Sequence, residues 1–293
     1  MTASLEPSDL WRAWSFEPGI VLPLALAAGL YARGLRALWR QAGAGHGIRR
    51  WQAAAFAAGW LVLAIALVSP LHELGETLFS AHMAQHELLM AVAAPLLVLG
   101  RPLLPFLWGL PMAWRRDAGH WTSRPAMRSA WHALTLPSIA WTVHALAIWV
   151  WHAPRLYDAA VTSDVVHALQ HASFLGSALL FWWALIHGRN GRLRYGASVL
   201  YVFTTALHTT ALGAVLSLAS QPLYPAYAAT AAWGLTPLED QQLAGLIMWV
   251  PAGIAYLVAA LALMAEWLRE AERRTTRSET AAALALRGDA WSA

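Results

Sequence analysis

The sequence predicts an all-α fold, a polytopic membrane protein with seven transmembrane helices, its N-terminus outside and its C-terminus cytoplasmic. Three observations predict it: composition, the length of the apolar runs, and the placement of the arginines. Of the 293 residues, 58% are hydrophobic and only 12% are charged. An ordinary soluble domain carries roughly 25% charged residues, so most of this chain is built to meet lipid or its own apolar neighbours.

Runs of about 20 apolar residues cross the hydrocarbon core of a bilayer. Seven such spans fit the sequence: 19–38, 51–69, 78–99, 134–151, 166–186, 197–218 and 243–267. Pro23, Pro95 and Pro251 fall inside spans and bend them locally. The organisation expected is a short N-terminal segment (1–18), a membrane domain (19–267) and a tail (268–293). The stretch 100–133 is partly apolar but too rich in proline for another span, and is expected to lie at the membrane surface. A helix is expected to continue into the tail. Trp39, Trp51, Trp149, Trp151 and Trp267 fall near span ends, where interfacial anchoring accounts for them.

Orientation follows from charge. All 20 basic residues are arginine. Arg33, Arg36, Arg40, Arg49, Arg50, Arg101, Arg115, Arg116, Arg124, Arg128, Arg189, Arg192 and Arg194 fall on one side, with the five arginines of the tail. Only Arg12 and Arg155 fall on the other. Positive charge collects on the cytoplasmic side, so the arginine-rich loops and the C-terminal tail face in, the N-terminus faces out, and a bacterial inner membrane is the expected setting. This alternation also argues against a nucleic-acid surface, despite a net charge of +4. There are no cysteines, so disulfides and thiolate ligands are excluded. The first residues lack a basic stretch followed by an apolar core, so no cleaved signal peptide is expected.

Two pairs of histidines stand out inside the apolar helices: His82 with His86, and His167 with His171. Spacing of four puts both rings of a pair on one helix face. Imidazole within a membrane span calls for a functional explanation, and metal coordination is one. Both pairs fall in the outer halves of spans three and five. His72, His152, Asp240, Gln241 and Gln242 fall at the same depth or in the adjoining loops. At 100° per residue, Met83 and Met90 share an arc with His82 and His86, and Met248 lies on span seven. Imidazole with thioether suits Cu(I); imidazole alone suits Cu(II) or zinc. His144 and His208 sit near mid-span, where helix–helix hydrogen bonding explains them as well as any accessory ligand role. Asp240 reads equally as a site residue or as the N-cap of span seven.

The block HMAQHELLMAVAAPLLVLGRP (82–102) resembles the signature helix of the multispan CtaG-type cytochrome c oxidase assembly factors. HALQHASFLGSALLFWW (167–183) and EDQQLAGLIMWVPAG (239–253) resemble two further blocks of that family, in the expected order. The resemblance implies a part in maturing a haem–copper oxidase by helping copper reach it. It implies a site drawn from His82, His86, His167, His171 and Asp240, and partners among the oxidase subunits or other assembly factors. It implies no catalytic residues. Two other classes stay open on the residues: a haem-binding or electron-transfer protein with axial histidines from spans three and five, and a zinc-dependent membrane hydrolase, against which stands the lack of any acid/base carboxylate deep in the bundle other than Glu87.

Overall fold

The computed structural model describes residues 6–188, 195–228 and 230–289. Arg189, Arg192 and Arg194, expected on the arginine-rich side, lie outside the described residues. The described chain is helical with short connections and has no strand.

Six helices are long and apolar enough to cross a membrane. They are α1 (Pro18–Ala42), α2 (Arg50–Val68), the span Phe79–Leu99, α11 (Asp164–His187), α12 (Tyr195–Ser217) and α13 (Pro237–Asp289). The expected fourth span differs. It is a bent pair, α8 (Pro125–Leu134) and α9 (Pro137–Trp151), turning by 62° at the break. Pro137 causes the break, because a proline ring disfavours the helical conformation of the residue before it. Counted as one span, the pair brings the total to the seven expected. At 1.5 Å per residue, the 15 residues of α9 reach only about 22 Å. α8 must therefore supply part of any crossing.

Proline punctuates the chain throughout. Pro18, Pro70, Pro125, Pro137, Pro154 and Pro237 each open a helix, where the missing amide hydrogen costs nothing and the fixed φ favours the first turn. Two of these helices are short: α3 (Pro70–Thr77) and α10 (Pro154–Thr162). Both precede a span that carries a histidine pair.

The span Phe79–Leu99 is the most enclosed, with 61% of its apolar stretch buried against 17% for α1. It has three parts: α4 (Phe79–Glu87), a π-helical turn (Leu88–Ala93) and α5 (Ala94–Leu99). Pro95 explains the irregular turn. Its ring would collide with the carbonyl four residues back in a regular α-helix, and a π-turn relieves that crowding. Widening leaves the Met90 carbonyl facing a proline with no hydrogen to give. The Trp182 indole of α11 donates to it instead at 2.9 Å. The regular 100° arc that placed Met90 in line with His82 and His86 does not continue through this turn.

Within the stretch 100–133, one short helix packs back on the first span. α6 (Leu103–Gly109) turns back against α1, with Gly34 beside the Pro105 carbonyl and Gly109 beside that of Leu30. A side chain at either glycine would strike the opposing backbone, so the contact depends on both. α7 (Met112–Ser123) then leads into α8. The long α13 packs along α12, where Gly213 and Gly245 let the two backbones meet. α13 also runs on as one helix to Asp289, which accords with the helix expected beyond the last span.

Candidate metal centre

The histidine pairs converge. His82 is on α4, and His167 and His171 are on the first turns of α11. One ligand nitrogen from each of these three lies within 4.8 Å of the others. The His167 and His171 Nε2 atoms are 3.1 Å apart. In a tetrahedral site with bonds near 2.0–2.1 Å, ligand nitrogens lie roughly 3.3 Å apart, so this pair already has the bite a metal needs. His86 lies beside this group but outside the three whose ligand nitrogens lie within 4.8 Å of one another; its ring centroid is 4.3 Å from that of His82 and 5.1 Å from that of His171.

Hydrogen bonding separates the members. His82 Nδ1 lies 2.6 Å from the Tyr227 hydroxyl. His82 Nε2 is buried with no partner, and both nitrogens of His86 are likewise bare. Each ring is 1% exposed. A buried polar atom left unmatched costs about 1–3 kcal/mol. Three such nitrogens lie on one helix face beside the three-histidine group; buried unpartnered nitrogens also occur elsewhere, as at His208 and Trp249.

His72 and His152, placed near this depth but given no role by the sequence, border the cluster. His72 stacks on His167 at 5.5 Å, the planes 8° apart. Its Nδ1 is 3.1 Å from the Gln85 amide nitrogen. Burial lowers the His72 pKa, against the opposing pull of Glu73 and Glu17. His152 Nδ1 donates to the Ile148 carbonyl at 2.7 Å, while its Nε2 is unpartnered. Burial pushes the His152 pKa down to about 4.

Asp240 does not join the ligand group. Its carboxylate accepts from the Phe79 amide at 2.7 Å, the Ser80 amide at 3.1 Å, and the Ser80 hydroxyl. α4 has no cap of its own, since Leu78 at its N-cap offers no side-chain acceptor. Asp240 is that cap, supplied from another helix, and it sets the turn that carries His82. The reading of Asp240 as the N-cap of span seven is corrected. Thr236 and Glu239 fill that role, with Glu239 Oε2 2.8 Å from the Thr236 amide and Thr236 Oγ1 accepting from the Glu239 amide at 3.3 Å.

The next two residues hold the connection between spans six and seven. Gln241 accepts from the Leu223 amide at 2.6 Å, and Gln242 donates to the Ala219 carbonyl at 3.2 Å. Pinned in this way, the connection lays Tyr224 and Tyr227 over Phe79. The Tyr224 hydroxyl donates to the His152 carbonyl at 2.9 Å. Sequence reasoning missed these tyrosines. Their only signal is a YPAY run between two apolar spans, and no periodicity says which helix such a run will touch.

Met83, Met90 and Met248 are buried among apolar side chains of the core. His144 and His208 lie apart from the cluster. His144 Nδ1 is 3.0 Å from the Ser177 hydroxyl, and the His208 ring abuts Trp141 at 5.4 Å. His144 therefore makes the helix–helix hydrogen bond that is the ordinary role of a polar membrane residue.

Acidic groups gather near His72. Burial raises the Glu76 pKa, and Glu73, Asp164 and Glu17 raise it further. Asp164 stands one turn before His167.

Fold and site define a multispan helical membrane protein with an imidazole cluster at one end of its bundle. The family described as cytochrome c oxidase caa3 assembly factor (Caa3_CtaG) matches residues 29–270, and the chain belongs to that family. It is 27% identical over 278 residues to uncharacterized proteins of Mycobacterium bovis and Mycobacterium tuberculosis, covering 91% of this chain and 41% of each of theirs. An uncharacterized protein of Mycobacterium leprae is 27% identical over 233 residues, covering 75% of this chain and 35% of that protein. The chain thus spans less than half the length of these curated relatives. No solved structure matches it.

Proposed function

We propose that this protein takes up a copper ion in the cluster of His82, His86, His167 and His171 and hands it on during assembly of a haem–copper oxidase. The observation that carries the reading is the set of bare nitrogens on His82 and His86 beside the His82–His167–His171 group. Family membership supports the assembly role, and points to oxidase subunits or other assembly factors as partners. An all-imidazole donor set suits Cu(II) or zinc; with no thiolate in the chain, it would hold Cu(I) less firmly. Weak retention of the reduced ion fits a carrier, which must release what it binds.

Arginine placement supports a position of the histidine end of the bundle at the outer face of a bacterial inner membrane. Copper would then enter from the side away from the cytoplasm, past Glu73, Glu76 and Asp164. A haem fits the packing poorly. The His82 ring lies 5.0 Å from His167 and 5.6 Å from His171, which leaves no slot for a macrocycle between them. Asp240 supports the site through α4 and does not bind the ion.

The test is metal analysis of the purified full chain after exposure to copper or zinc, with an absorption spectrum. Copper is expected in the wild type and lost in the His82→Ala/His86→Ala variant. Equal copper in both proteins, or zinc retained in preference to copper, would overturn the reading.

A further inference from the structure

Two hydrogen bonds at the edge of the cluster fix where protons sit. The Tyr227 hydroxyl is 2.6 Å from His82 Nδ1 and 3.1 Å from the Gly75 carbonyl. A carbonyl only accepts, so the single phenol proton goes to Gly75. The phenol oxygen is then the acceptor for His82, whose proton must be on Nδ1. The bare His82 nitrogen is accordingly Nε2, the one found buried and unpartnered.

The same reasoning gives the opposite answer one turn away. The Gln85 amide nitrogen is 2.8 Å from the Ala66 carbonyl and 3.1 Å from His72 Nδ1. The Ala66 carbonyl again only accepts, so the NH2 end of Gln85 faces both groups. His72 Nδ1 is therefore an acceptor, and in the neutral ring the proton is on Nε2. Such an imidazole has no free lone pair for a metal, although it stacks directly on His167.

We infer that Tyr227 is a positioning residue of the metal centre, holding His82 in the tautomer that offers Nε2 to the ion, and that Gln85 imposes the opposite tautomer on His72 and so bars it from the ligand set. This rests on the metal reading above, but the tautomers themselves do not. Partners of this kind, standing behind a ligand, set its orientation and basicity, and their loss commonly weakens metal affinity 10–100-fold.

The experiment is nitrogen NMR of the full chain in micelles with 15N-labelled histidine, first without metal and then titrated with Cu(II). Without metal, His82 is expected to carry its proton on Nδ1 and His72 on Nε2. In Tyr227→Phe, His82 becomes a mixture of tautomers and copper affinity falls about tenfold. In Gln85→Leu, His72 becomes the mixture and His82 is unchanged, which checks the argument in a second variant. His72→Ala leaves the number of copper-bound nitrogens unchanged. A proton on His82 Nε2, an unaltered His82 in Tyr227→Phe, or loss of a bound nitrogen in His72→Ala would overturn the inference. A wild type with the expected tautomers and no copper binding would uphold the tautomer assignment while sinking the copper reading.

Discussion

The Asp240 carboxylate caps a helix that begins 161 residues earlier, accepting from the Phe79 amide at 2.7 Å. A helix start leaves amides unmatched, and inside a bundle no water is at hand to match them. Asp240 thus couples the entry of span seven to the turn of span three that bears His82.

Removing this cap should loosen the site without removing a ligand. Asp240→Ala is expected to lose about 2 kcal/mol or somewhat more of stability, at the upper end for caps because the group is wholly buried. Thermal denaturation in detergent measures the loss. Nitrogen hyperfine couplings of bound Cu(II) should show the same donor count as wild type. A changed donor count with unchanged stability would make Asp240 a ligand.

His86 carries the opposite expectation. Its two unmatched nitrogens burden the metal-free fold, so His86→Leu, of similar volume, should raise metal-free stability by about 1–2 kcal/mol. The same variant should show a smaller rise in melting temperature on adding copper. Loss of metal-free stability would mean that the ring is matched in a way the bare nitrogens do not show.

Acid should destabilise the protein through His152. Above pH about 6.5 its ring is neutral both folded and unfolded, and makes no difference. As pH falls further, the unfolded chain takes up a proton that the folded ring, pushed down to about 4 by burial, refuses. Stability therefore drops across that window, by at most about 3 kcal/mol from this group. Melting temperatures from pH 7.5 to 4.5 should fall, and His152→Asn should flatten part of the slope.

The π-helical turn gives a prediction away from the ion. Trp182→Phe keeps an aromatic ring but, with the indole N–H gone, strips the Met90 carbonyl of its donor, at a cost of about 1–3 kcal/mol for the unmatched group and more for the space the smaller ring leaves. Hydrogen exchange should quicken in the Leu88–Ala93 turn and not in α12.

The acidic flank should act on rate more than on affinity. Glu76→Gln and Glu73→Gln together are expected to slow copper uptake at low salt, with the difference fading at high salt as screening removes it. Stopped-flow quenching of tryptophan fluorescence by copper would follow it. A salt-independent loss would show that these carboxylates act by contact.

Much of the fold was legible in residues read singly. Hydrophobic runs set where helices can cross, because lipid tolerates no unpaired backbone, and prolines set where helices begin. The bend at Pro137 moved one boundary, and the α6 fold-back escaped notice, since Leu103–Gly109 is too short to register as a periodic element. The two histidine pairs were visible because spacing of four is a property of one helix.

Whether those pairs meet could not be read from spacing, since it depends on how separate helices pack. Asp240 shows the limit plainly: its place beside a helix start suggested a cap, but the helix it caps is α4, brought to it by tertiary packing. Tyr227 and Gln85 make the same point for protons. Local sequence sets helix, face and depth through covalent geometry and solvation. Which nitrogen of an imidazole is left bare depends on neighbours distant in the chain, and only the packed bundle supplies them.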